Sequence, residues 1–132
     1  MFAQPGNITH FAPELHIPNG TTDISFYHRF GAVEHFCLRN PDNSIHVAEL
    51  NFDGAVFHIH ETVKWFDALE PVTAKGVTVV IGLFVEDVEK VMSAGMNAGA
   101  TLVAPTTDHE YGYRQGMFKD PFGHLWQIQR KI

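Results

Sequence analysis

The stretch that decides the fold is Ile45-His46-Val47-Ala48-Glu49-Leu50-Asn51-Phe52-Asp53-Gly54-Ala55-Val56-Phe57-His58-Ile59-His60. Two runs of strand-forming residues flank Asp-Gly, a strong two-residue hairpin signal. They read as a β-hairpin of Ile45 to Phe52 and Ala55 to His60. A two-residue turn sets Phe52 opposite Ala55, Leu50 opposite Phe57 and Glu49 opposite His58. Opposed residues share a face, and faces alternate along each strand. One face then carries Ala48, Leu50, Phe57 and Ile59, a core surface. The other carries Glu49, Asn51, His58 and His60.

Outward from the hairpin, the elements recur in the same order. Ile8 to Ile17 reads as a strand that Asn19-Gly20 breaks, and Thr21, Thr22 and Asp23 offer helix N-caps. Ile24, Tyr27 and Phe30 follow at helical spacing, with Gly31 as the stop. Ala32 to Arg39 is the next strand, closed by Pro41-Asp42-Asn43-Ser44. Residues 61–76 hold Pro71 and read as an irregular connector. Beyond it come a strand from Val77 to Val85 and a helix capped by Asp87 and ended by Gly99. Its apolar face is Val88, Val91, Met92 and Met96. Three strands complete the order: Ala100 to Ala104, Tyr113 to Lys119 and His124 to Arg130, the last two joined by Asp120-Pro121-Phe122-Gly123. Gly31-Ala32 and Gly99-Ala100 lie 68 positions apart, each between a helix and a strand. The expectation is one α+β domain over residues 1–132, built from two βαβββ modules at about residues 7–60 and 77–132. Two helix-covered sheets in tandem would leave each sheet's other face for a partner sheet or a ligand.

Composition narrows the function classes. The 132 residues are 45% hydrophobic, with 11 Phe, enough for a packed core and against disorder. No apolar run reaches the ~20 residues of a membrane-spanning helix, so no membrane partner is expected. Met1 to Asn7 lacks the charged start and apolar stretch of a signal peptide. Cys37 is the only cysteine, which rules out an internal disulfide and fits a reducing, cytoplasmic setting. The formal charge is −6, without a run of Lys and Arg, so nucleic acid is not an expected partner. An acidic surface fits a cationic ligand, and it fits equally a net charge that only keeps the protein in solution.

Four stretches together carry a family resemblance: Phe26-Tyr27-His28-Arg29-Phe30-Gly31-Ala32, Ala48-Glu49-Leu50, Tyr111-Gly112-Tyr113-Arg114 and Asp120-Pro121-Phe122-Gly123-His124-Leu125-Trp126. In this order and spacing the chain resembles the vicinal-oxygen-chelate superfamily, which includes glyoxalase, bleomycin-resistance and dioxygenase proteins. It is most similar to the PhnB-like branch. The resemblance implies paired βαβββ modules forming a curved, cupped sheet, a small-molecule pocket inside it, and homodimers. In metal-dependent members, four side chains hold a divalent ion that chelates two neighbouring substrate oxygens. The aligned positions here are Ala12, His58, Val80 and Gln127. Ala and Val have no donor atoms, so the ordinary four-ligand glyoxalase site is not intact and conventional glyoxalase I activity is disfavoured.

The hairpin's polar face supplies another constellation. His58 and His60 at i and i+2, opposite Glu49, form a tentative ligand set for Zn, Fe, Mn or Ni. The same three residues are the catalytic candidates for metal-free proton transfer, since imidazole titrates near neutrality. A plain solvated sheet face is the competing reading. Alternation adds Glu14 and His16 as ligand-binding candidates, with Thr78 and Phe84 around Val80 and Gln129 beside Gln127, itself a ligand-binding candidate from the resemblance. Trp65 and Phe66 suit a lid or a subunit contact, and Arg114 an anion grip or a loop brace. Trp126 and Ile128 fall on the core face, and Cys37 reads as packed rather than nucleophilic. The expected function is small-molecule binding of the bleomycin-resistance type. The alternative is a divalent-metal-dependent lyase, isomerase or dioxygenase using Glu49, His58 and His60.

Overall fold

In the computed structural model, which describes residues 9–65 and 67–132, Asp53 and Gly54 both take positive φ, 50° and 90°. This tight turn clips β3 (Ile45–Phe52) to β4 (Ala55–Glu61) in the expected register, with Glu49 opposite His58 and Leu50 opposite Phe57. β1 (Glu14–Ile17) adds in parallel to β4, and β2 (Val33–Arg39) in antiparallel to β3, giving the order β1-β4-β3-β2. A second sheet repeats the pattern with β5 (Val80–Phe84), β6 (Thr101–His109), β7 (Tyr113–Lys119) and β8 (Leu125–Lys131), in the order β5-β8-β7-β6. The fold class is α+β, as expected. No helix among the described residues is long and apolar enough to cross a membrane.

By contacts, the chain divides into two units. One holds β1 to β4, the other β5 to β8 together with Ser25–Gly31. That segment contains α1 (Ser25–Arg29), so the helix does not group with the sheet whose strands flank it in sequence. The cause lies in the side chains of α1 and its end. Phe26 and Phe30 pack on Phe118, and Phe30 packs edge-on against Trp126 with ring centroids 5.0 Å apart. Tyr27, fully buried, donates its hydroxyl to Asp120 Oδ2 at 2.6 Å. Trp126 Nε1 donates to the same oxygen at 3.0 Å, while Asp120 Oδ1 accepts the N–H groups of Phe122 and His124. Two of the motifs that carry the resemblance thus meet at one buried carboxylate. Burial, then the neighbouring Asp120 charge, pushes the Tyr27 hydroxyl well above its ordinary pKa.

α3 (Val88–Ala98) starts where Asp87 accepts from the Lys90 N–H and ends at Gly99, whose φ of 115° favours glycine. It packs on its own unit's sheet closely enough that a Cβ on Gly95 would overlap the Phe118 ring.

Several boundaries shift, two of them beside a proline. β1 begins at Glu14, after Pro13, which has no N–H to extend a ladder. The earlier part of the expected strand, at Ile8, lies outside the described residues. β5 begins at Val80 rather than Val77. β6 runs on to His109 instead of stopping at Ala104, with register shifts between Leu102 and Thr107 that accommodate Pro105. The expected connector opens as the last residue of β4 and contains a single-turn helix, α2 (Pro71–Ala74).

Candidate functional site

The site candidates lie on the polar face of the first sheet. Register places Glu14 beside His58, His16 beside His60, and Glu49 across from His58. Leu15, Ile17, Ala48, Leu50, Phe57 and Ile59 occupy the opposite, buried face. The centre is Glu49, only 8% exposed. Its Oε1 lies 3.0 Å from His58 Nε2, and its Oε2 lies 3.0 Å from His35 Nδ1. Burial works against the Glu49 charge, but the bonds from His58 and His35 outweigh it and hold the carboxyl below its ordinary pKa.

His35 escaped the sequence reading for a physical reason. Strict alternation puts it on the same face as Cys37, which pairs with Ala48 on the core side. A register irregularity between Glu34 and Phe36 turns its ring to the other face instead. There its Nε2 lies 2.6 Å from Asn51 Nδ2. Asn51 also donates to Val33 O at 3.2 Å and accepts the Gly54 N–H at 2.8 Å. No residue-type pattern in β2 announces the bulge.

His60 shares the face but not the cluster. Its Nδ1 lies 2.7 Å from the Glu61 carbonyl, which only accepts, so that nitrogen carries a proton. Its ring stands edge-on to those of His46 and His16, with centroids 5.0 and 6.1 Å away. Glu49 is therefore bracketed by His58 and His35 rather than by His58 and His60. Among the described residues, no group of three or more His, Cys, Asp or Glu side chains is placed to hold a metal ion. At the positions the resemblance assigns to ligands, Ala12 and Val80 bring no donor atom, whereas His58 and Gln127 do.

The remaining candidates have other surroundings. Trp65 is 84% exposed, and its neighbour Phe66 lies outside the described residues. Arg114 makes a two-pronged pair with Asp108 across the β6–β7 hairpin, at 2.6 and 3.1 Å, which is a brace. Gln127 sits on β8 in the second unit, opposite Met117. Trp126 and Ile128 are buried on that sheet's core face, as expected. Cys37 is partly buried; burial, then the Glu34 charge, pushes its thiol above its ordinary pKa, away from nucleophilicity.

Residues 7–128 match the Glyoxalase/Bleomycin resistance protein/Dioxygenase superfamily. The chain belongs to that superfamily. Among curated members, an uncharacterised protein of Mycobacterium tuberculosis strain H37Rv is 31% identical over 125 residues, covering 92% of this chain and 74% of the relative. A similar protein of Mycobacterium bovis is 31% identical over the same length, with 82% of it covered. Among solved structures, a gene product of Arabidopsis thaliana has a TM-score of 0.70 at 25% identity, covering 94% of this chain and all of that one. TioX of Micromonospora sp. ML1 has a TM-score of 0.68 at 22% identity, covering 93% and 100%. The fosfomycin resistance protein of Mesorhizobium loti has 0.65 at 12%, covering 96% and 94%. The last two likenesses speak for the superfamily's fold.

Proposed function

We propose that this superfamily member is a small-molecule-binding protein. It holds a cationic or proton-donating ligand on the polar face of its first sheet, with His58 as the proton acceptor. The observation that carries this reading is the buried Glu49 carboxylate held between two imidazoles, with Glu14 on the same face. β1, β3 and β4 contain no Lys or Arg, and Arg39 on β2 is tied to the carbonyls of Thr22 and Asn43. The acidic side chains of that face are Glu14 and Glu49, and part-burial strengthens the pull of Glu49 on a cation.

His58 favours a second reading, metal-free turnover. Its side chain is 30% exposed, its Nε2 is held by Glu49, and no hydrogen bond to its Nδ1 is present among the described residues. Such a ring accepts a proton at Nδ1 while the carboxylate behind it stabilises the imidazolium formed. The motifs at Phe26–Ala32 and Asp120–Trp126 support a place in the PhnB-like branch, and we read the protein as a cytoplasmic homodimer.

The test is an NMR titration with a panel of small organic ammonium ions and carboxylates of matched size. Ammonium ions are expected to shift the signals of Glu14, Glu49 and His58, and Glu49→Gln is expected to weaken that binding about tenfold. Preference for the carboxylates, or indifference to Glu49→Gln, would overturn the reading.

A further inference from the structure

Glu49 touches two imidazoles, and the hydrogen bonds around them differ in kind. The Gly54 N–H only donates, so the Asn51 atom 2.8 Å away is its carbonyl oxygen. Val33 O only accepts, so the Asn51 atom 3.2 Å away is its amide nitrogen. Both partners orient the Asn51 amide the same way. Its NH2 group therefore meets His35 Nε2 at 2.6 Å, and that ring nitrogen must present a lone pair. A neutral ring with a bare Nε2 carries its proton on Nδ1, which points at Glu49 Oε2. Protonating Nε2 would set two N–H groups against each other at a partly buried position, losing one bond and adding a repulsion. His58 carries no such lock, because its Nδ1 gains a proton without breaking a bond seen among the described residues.

We propose that His35 is a positioning residue. Held by Asn51 as the neutral Nδ1–H tautomer, it occupies one Glu49 oxygen permanently and confines proton exchange at this carboxylate to His58. The inference rests on the reading of the Glu49 face as the ligand site and deepens it, since it assigns unequal roles to two rings on one carboxylate. The hairpin turn supplies the lock: Asn51 immediately precedes Phe52-Asp53-Gly54, and the turn's own Gly54 N–H sets the amide. Among the described residues of this sheet, the strand register also places Glu14 and His16 on β1, Glu34 on β2 and His60 on β4 near the pair. Their carboxylates favour a proton on whichever ring is able to take one, and that ring is His58.

The experiment uses ligand-free, full-length protein and long-range proton–nitrogen correlation spectra of the imidazoles from about pH 5 to about pH 8. His35 is expected to show a protonated Nδ1 and a bare Nε2 throughout. A His35 in the Nε2–H form, or one titrating alongside His58, would overturn the proposal. A second measurement follows the His58 midpoint in variants. His35→Phe removes the competing donor from Glu49 and is expected to raise the midpoint by roughly half a pH unit. His35→Asn, which keeps a donor near the Nδ1 position, is expected to restore it. A purely structural role predicts no movement in either variant, and an unmoved midpoint in His35→Phe counts against the proposal. Should His35→Phe fail to fold, the wild-type tautomer spectrum decides alone. Neither measurement involves a ligand, so failure of the ammonium panel and failure of the tautomer lock are read separately.

Discussion

Replacing Asp120 with alanine takes one acceptor away from four donors at once. Two of them, the Phe122 and His124 N–H groups at 2.9 and 3.1 Å, sit in a part-buried turn where water can replace the carboxylate. The other two, the Tyr27 hydroxyl and the Trp126 indole at 2.6 and 3.0 Å, are 0% and 1% exposed and gain no water. A buried donor that loses its acceptor costs about 1–3 kcal/mol, so this pair alone sets the loss near 4 kcal/mol. That is a large share of the roughly 5–15 kcal/mol that hold a domain folded. Asp120→Asn keeps Oδ1 for the turn and turns an amide toward Tyr27, whose oxygen is able to accept it. The Trp126 N–H then faces a donor, at a cost of about 2 kcal/mol. Tyr27→Phe leaves the carboxylate three donors and should cost only about 1–2 kcal/mol. Urea unfolding followed by tryptophan fluorescence measures the series, because buried Trp126 responds while exposed Trp65 supplies a steady background. An Asp120→Ala loss below about 1 kcal/mol, or a Tyr27→Phe loss as large as that of Asp120→Ala, would refute the assigned network.

Gly95→Ala is expected to destabilise by about 1–3 kcal/mol, since its Cβ overlaps the fully buried Phe118 ring; a gain, as helix propensity alone gives, would mean α3 sits further from the sheet. The Glu49 and Glu61 carboxyls lie below their ordinary value of 4.5: burial opposes ionisation, but bonds from His58 and His35, and from His46, Asn19 and Asn40, outweigh it. Their contribution is full above that pH and fades as pH falls through the lower folded-state values. Glu49→Gln should therefore flatten the acid limb of a stability–pH curve, and an unchanged limb would contradict the bonding. Calorimetric titration with Zn, Ni and Mn should give the same weak response in wild type and His60→Ala; tight binding lost in His60→Ala would show that His60 leaves the Glu61 carbonyl to join Glu49 and His58. Light scattering should give a mass of two chains, with exposed Trp65 and Leu69 as candidate contacts, and a one-chain mass at every concentration would remove the dimer.

Local chemistry was legible in the chain wherever its consequences stay local. Asp53-Gly54 permits one tight turn, the turn permits one register, and a two-residue period then puts Glu49 and His58 side by side. Asp87 and Gly99 mark the ends of α3 in the same way, through bonds to residues within one turn. What escaped depends on partners far along the chain. α1 is a five-residue helix with too few turns to choose a sheet by itself, and Tyr27 commits it through Asp120, 93 positions away. His35 reaches Glu49 only because β2 carries an extra residue against β3, and that mismatch exists only once the two strands have paired. His60 obeys the alternation yet does not bond to Glu49 among the described residues, because a backbone carbonyl one residue on takes its Nδ1 proton. Hairpin register and helix caps are set by interactions a few residues long, which leave a pattern in the sequence. The ring that completes the Glu49 cluster was decided by strand pairing and side-chain bonding in three dimensions, which leave none.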